Sequence, residues 1–251
     1  MAEIREDEVK DAILRNPQLF NGIKDSMVIF EKSIYYHKLI ADALVFTKDN
    51  GILGVEIKTE GDNLTRLPHQ LDYYVRTCSY TYVFCHDKHL NNVIKLLESK
   101  KYDCVGLISY DDFNGTVIAG KVKEAKWSPY LSAKASATLL WKKELYRVLR
   151  VFYTQPSKVL KERYGVENDT DNTGKQYRIH NMVGSVNPKT RYRELLNIYG
   201  KTFNEHEALD ILSNLYLSNN ISEDKPLQRY YFGDHYVKGS KTFPNGYKRK
   251  R

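Results

Sequence analysis

Two apolar, β-branched runs lie close together, residues 38–47 (KLIADALVFT) and 52–59 (ILGVEIKT), with Asp49-Asn50-Gly51 between them. A turn signal between two strand-like runs predicts an antiparallel β-hairpin. Each run carries charge in its apolar interior: Asp42 in the first, Glu56 and Lys58 in the second. A buried charge is costly unless it is paired or binds a metal. Strand alternation places Glu56 and Lys58 on one face and Val55 and Ile57 on the other. The hairpin is therefore both a core element and the place where polar chemistry gathers.

The flanking segments supply the rest of an α/β order. Residues 3–15 predict a helix with Val9, Ala12, Ile13 and Leu14 on one side, ended by Pro17. After the hairpin come a loop at Gly61-Asp62-Asn63 and a helix over 64–78, with Pro68 in its first turn. A strand over 80–85, an amphipathic helix over 89–98 and strands over 103–110 and 116–123 follow. Beyond Trp127-Ser128-Pro129 no strong strand is expected. One helix is predicted over 134–153, and another begins at Pro156-Ser157. Residues 166–187 read as a long polar loop. Helices are expected over 191–199 and, from an Asn204/Glu207 capping box, through Leu217. The expected division is a core over 1–127, a helical region for nucleic acid or a partner over 128–237, and a basic tail over 238–251.

Bulk charge narrows the partner. The formal net charge is +8, which favours a polyanion. Glu3, Arg5, Glu6, Asp7 and Glu8 make the first helix acidic, unlike a basic targeting segment. No window approaches 18 apolar residues, so no membrane partner is expected, and nucleic acid is the better reading. Cys78, Cys85 and Cys104 are too few and too scattered for a disulfide framework, which points to a reducing cytoplasm. Cys85-His86 and His89 lack the second ligand pair of a structural zinc site. His206-Glu207 lacks the second histidine of a metalloprotease, and no phosphate-binding loop signature occurs. The 20 tyrosines divide between half-buried packing and stacking on unpaired bases.

Two carboxylates and a lysine on adjacent strands define a chemistry. Oxygen ligands suit a hard divalent cation. Such a cation activates water and neutralises phosphate charge, and a lysine assists the developing negative charge. Asp42, followed fourteen residues later by Glu56-Ile57-Lys58, resembles the D…(D/E)-x-K signature of the PD-(D/E)XK nuclease superfamily. Gln70-Leu71-Asp72-Tyr73-Tyr74 resembles the Q-x-x-x-Y motif of its RecB-like and phage exonuclease branches. The run Glu56-Ile57-Lys58-Thr59, Asp62, Leu64 and Arg66-Leu67-Pro68 is similar to a bacterial and phage group within that superfamily. Ala41 stands where the signature has proline.

The resemblance implies a restriction-endonuclease-like core, a central mixed β-sheet flanked by helices, with an α-helical C-terminal region. It implies Mg²⁺ or Mn²⁺ held by Asp42, Glu56 and the Ile57 carbonyl, with Lys58 and Gln70 as catalytic partners. It also implies an acid from the first helix. Glu6, Asp7 and Glu8 are the candidates, and helical geometry places Glu6 beside the inward stripe. Arg66 is read either as a phosphate ligand or as a solvated arginine. Tyr74 is read either as a nucleic-acid contact or as a packing residue. The expected function is metal-dependent hydrolysis of DNA, with DNA ahead of RNA, in DNA processing, repair or phage–host conflict. The alternative is a nuclease-like module that binds without turnover. The C-terminal helices would serve a protein partner or a second copy of the chain.

Overall fold

The computed structural model describes residues 5–20, 22–23, 25–154, 186–219, 221 and 227–237. The short helix at Pro156, nearly all of the polar loop at 166–187 and the basic tail lie outside the described residues. Six strands form one sheet in sequence order: β1 (Met27–Ile34), β2 (Leu39–Phe46), β3 (Ile52–Lys58), β4 (Tyr80–His86), β5 (Gly106–Phe113) and β6 (Thr116–Lys123). β1, β2 and β3 run antiparallel as a meander. Helices α2 (Leu67–Thr77) and α3 (Leu90–Leu97) make the crossovers that set β3, β4 and β5 parallel, and β6 returns antiparallel. The result is the expected α/β architecture, a mixed sheet with helices on both faces.

Alternation along the strands builds the two faces. Ala43, Val45, Leu53, Val55 and Ile57 pack toward α1 (Glu6–Arg15), where Val9, Ala12, Ile13 and Leu14 are buried. Leu44, Phe46 and Ile52 pack on the opposite side against the C-terminal helices, α4 (Ala133–Ser136), α5 (Lys142–Thr154), α6 (Tyr192–Thr202) and α7 (Glu205–Leu217). On that second side α2 and α3 bury Leu67, Leu71, Val75, Val93 and Leu97 against Val83, Cys85 and Leu107. At α7 the Asn204/Glu207 capping box forms as expected, with each side chain bonded to the other's backbone N–H at 2.9 and 3.0 Å.

Four features depart from expectation. The first is β1, which adds a strand ahead of the hairpin. Its connection to β2, Tyr35-Tyr36-His37-Lys38, holds none of the residues that ordinarily announce a turn. Tyr35, Tyr36 and His37 nevertheless adopt left-handed φ values of 49°, 60° and 61°. Second, 134–153 is not one helix. Leu140 is extended (φ −92°, ψ 141°), and α5 restarts behind it because Glu144 accepts a 2.9 Å hydrogen bond from the Trp141 N–H. The apolar period runs unbroken through this break, so periodicity alone could not reveal it. Third, β5 begins at Gly106, later than expected, because a 3-10 turn occupies Lys100–Tyr102. Fourth, residues 227–237 form a strap. Tyr230 exchanges backbone hydrogen bonds with Val28 on the edge strand, and the Tyr236 N–H donates to Asp11 at 2.9 Å.

Candidate active site

The β2–β3 ladder runs from Phe46↔Ile52 to Ala43↔Val55. One step beyond its last pair, Asp42 stands opposite Glu56. There the strands part, and Asp42 Oδ2 accepts a 2.7 Å hydrogen bond from the Ile57 N–H. Glu56 is fully buried, and Lys58 is 5% exposed. Lys58 Nζ donates to Glu56 Oε1 at 2.5 Å. The other carboxylate oxygen, Glu56 Oε2, is buried with no hydrogen-bond partner. Buried polar atoms almost always find partners, so this carboxylate oxygen is left able to accept one.

Helix α2 lies over this end of the sheet. Tyr74 reaches it because β3 carries Gly54 below: a Cβ there would collide with the Tyr74 ring. The Tyr74 hydroxyl donates to the Val55 carbonyl at 3.1 Å and accepts from the Asp42 N–H at 2.9 Å. It ties the two acid-bearing strands together. Tyr74 is fully buried, which makes it a packing and positioning residue and removes it as a surface for nucleic acid. Gln70 lies one helical turn earlier on α2, on the same face as Tyr74. Its Oε1 is also buried without a hydrogen-bond partner. Arg66 is exposed, in the short turn ahead of α2.

Burial first, and the Glu56 charge second, push the Asp42 carboxyl up to about 8; the Glu6 charge adds to this, while the Ile57 N–H and Lys58 oppose it. Glu56 is also raised, by burial first, against the pull of the Lys58 charge and hydrogen bond and of the Tyr74 hydroxyl, with Asp62 adding negative charge nearby. Two carboxylates in one desolvated site cannot both ionise cheaply, so near neutrality the pair retains a proton. Burial raises the Tyr74 phenol well above its ordinary range, with help from Glu56 and Asp42, and it stays neutral.

The first-helix acids separate by their contacts. Glu8 caps α1, accepting from the Arg5 N–H at 2.7 Å. Glu6 contributes charge at Asp42 but is bound to Lys10 Nζ at 2.8 Å. Lys10 was not foreseen. It is 1% exposed, also grips Glu31 at 2.8 Å, and lies 5.3 Å from the centre of the Tyr236 ring. Burial would lower its pKa, but hydrogen bonds to Glu31 and Glu6 outweigh burial and raise it. The only sequence sign of this was the Glu6/Lys10 spacing of one helical turn.

The loop after β3 is built to hold its shape. Asp62 accepts from the Thr59 N–H at 2.6 Å and Asn63 from the Thr65 N–H at 2.7 Å. His89, buried at the start of α3, bonds through Nε2 to the Thr59 carbonyl at 3.0 Å. Burial pushes the neighbouring Cys85 thiol up to about 12, which leaves it a neutral packing group.

Among the described residues no group of three or more His, Cys, Asp and Glu side chains is gathered to hold a metal. The available set is smaller: Asp42, Glu56 with its orphaned oxygen, and the backbone of Ile57. That set fits Mg²⁺, which binds through one or two carboxylates and keeps several waters.

Comparison with protein families decides the lineage. The profile described as bacteriophage P4 protein cII matches residues 1–214. The chain belongs to this family. The bacteriophage P4 cII match takes in the whole sheet, the acid–acid–lysine site and α2, and ends within α7. Neither the curated proteins nor the solved structures provide a match. Among the described residues no helix is long and apolar enough to cross a membrane.

Proposed function

We propose that this phage-related chain is a divalent-metal-dependent deoxyribonuclease of the PD-(D/E)XK type, working in the cytoplasm on DNA. One observation carries the reading. Glu56 and Lys58 are buried together at a parted strand end with the half-buried Asp42 beside them, and one Glu56 oxygen is left without a hydrogen-bond partner. A purely structural strand end has no use for that arrangement, because buried charge without function is a net cost.

Asp42 and Glu56 would hold Mg²⁺ or Mn²⁺, with the Ile57 carbonyl as a further ligand. When bound, the cation would supply Lewis-acid activation and neutralise charge on the scissile phosphate. Lys58 is the one cation of the buried set, and its proton-bearing Nζ would stabilise negative charge developing on the phosphate oxygens. Gln70, one helical turn before Tyr74 on α2, would orient the attacking water. Tyr74 keeps the two acids at fixed separation through its bonds to both strands. Glu6 would add negative charge from α1 if released from Lys10. Arg66, exposed ahead of α2, would meet a phosphate of the backbone.

The test is cleavage of linear, circular and single-stranded DNA with Mg²⁺ or Mn²⁺. Turnover should require the cation and disappear in Asp42→Asn and Lys58→Ala proteins that remain folded. Full activity in either variant would sink the assignment. Metal-independent DNA binding without cleavage of any substrate would favour the binding-module reading instead.

A further inference from the structure

An aromatic row runs away from the site toward a cavity outside it. Tyr73, next to Tyr74 on α2, lies 4.8 Å from Tyr35 between ring centres, and its hydroxyl bonds His69 at 3.0 Å. Tyr35 meets Tyr36 edge-on at 5.5 Å, and His37 lies 5.6 Å from Trp141. The three consecutive left-handed residues of the β1–β2 turn hold these rings in place. Such φ values are uncommon for any residue with a side chain and unfavourable for bulky ones. Three in succession require that the surrounding contacts over-determine the turn. The turn closes at Leu39, three residues before Asp42, or about 10 Å of strand.

Beyond His37 the row opens into a cavity of about 220 Å³, lined by Lys32, Ser33, His37, Leu140, Trp141 and Lys142 among others. Pockets that enclose drug-sized ligands span roughly 300–1,000 Å³, so this one suits a single ring system. Trp141 is 56% exposed there, unusual for the largest aromatic side chain. No carboxylate lines the cavity among the described residues. Lys32 lies over the Tyr216 ring at 5.6 Å, Lys142 begins α5, and Arg193 acts on the Tyr36 hydroxyl.

We propose that Trp141 and His37 form a stacking pocket for an unpaired base of a single nucleic-acid strand. The same strand's backbone would cross the Asp42/Glu56 site. This rests on the nuclease reading and adds its substrate class, a strand that is single or frayed. An aromatic face with cations around it matches a base with its phosphates. Inside a duplex the base faces are already stacked, so only an unpaired base can use such a pocket.

The test is binding by fluorescence anisotropy in EDTA, which separates binding from cleavage. The probes are labelled oligodeoxythymidine, oligouridine and a duplex of matched length. Wild-type protein should prefer the single strands; equal binding of both sugars supports base stacking, and so does preference for one of them over duplex. Trp141→Ala should weaken single-strand binding about tenfold or more and leave duplex binding unchanged. Trp141→Phe should retain most of the affinity. His37→Gly removes a ring while keeping the left-handed backbone accessible, and should weaken binding in the same direction even if Trp141→Ala fails to fold. Unchanged single-strand binding in His37→Gly and Trp141→Ala, or equal loss on duplex, would overturn the pocket. If the pocket behaves as expected but wild-type protein cleaves nothing with any cation, the nuclease reading fails and the pocket stands. If cleavage is robust on duplex while these variants bind as wild type, the pocket fails and the nuclease reading stands.

Discussion

The two ends of β3 treat buried polar groups in opposite ways. At the start of the strand, Ser79 accepts from the Ile52 N–H at 3.0 Å, and its hydroxyl lies within donating distance of the Asn50 and Ile52 carbonyls. Ser213 donates to the Gly51 carbonyl at 2.9 Å from 162 residues away, and Thr47 accepts from the Asn50 N–H at 2.9 Å. Gly51, with φ of 71°, makes this turn, and a Cβ there would press within 2.9 Å of Leu209. At the far end Glu56 Oε2 and Gln70 Oε1 have no such partners. Some neutral hydroxyls, those of Thr77 and Thr81, are also buried without one, but an orphaned carboxylate oxygen is far more costly. One end spends its polar atoms on holding the α7 helix to the sheet. The other keeps them back, and departures of this kind from full satisfaction concentrate at functional sites.

Substitutions can break that contrast. Glu56→Gln should lower cleavage on the order of a thousandfold and also lower thermal stability, because it leaves the buried Lys58 ammonium without its counter-charge. A stable, fully active Glu56→Gln protein would make this end structural after all.

The pH dependence sharpens the same point. The metal-free folded protein holds the Asp42 proton up to about 8, whereas the unfolded chain releases it in the ordinary carboxylate range. Between those values the folded state binds more protons, so stability should fall as pH rises from about 4 to 8. Asp42→Asn should flatten that fall in melting temperature, and Mg²⁺ should stabilise the wild type increasingly toward pH 8 as it displaces the proton. Parallel pH profiles for the two proteins would count against a shared, desolvated acid pair.

Ser79→Ala tests the satisfied end. It should cost about 1–3 kcal/mol in denaturant unfolding, since it strands buried backbone groups, with specific activity per folded molecule unchanged. Asn204→Ala should cost about 1 kcal/mol through loss of the α7 cap, again without effect on cleavage.

Much of the site was legible before folding was considered. Asp42, Glu56 and Lys58 stand out because charge interrupts β-branched runs, and Gln70 follows at a helical position over them. Lys10 was not legible, because a lysine on an acidic helix looks solvated until Glu31 and Tyr236 close over it from distant segments. Strand β1 was missed for a related reason. Its second half, Glu31-Lys32-Ser33, is polar, and the turn after it is strained where turn residues would normally stand.

The hairpin, its register and the face shared by Glu56 and Lys58 follow from local pattern, since alternation and an Asn-Gly turn are properties of neighbouring residues. The Tyr74 clamp across both strands and the aromatic row ending at Trp141 depend on segments up to about a hundred residues apart. Hydrogen bonds and ring contacts between such segments exist only once the sheet and its helices have packed, and no local period encodes them.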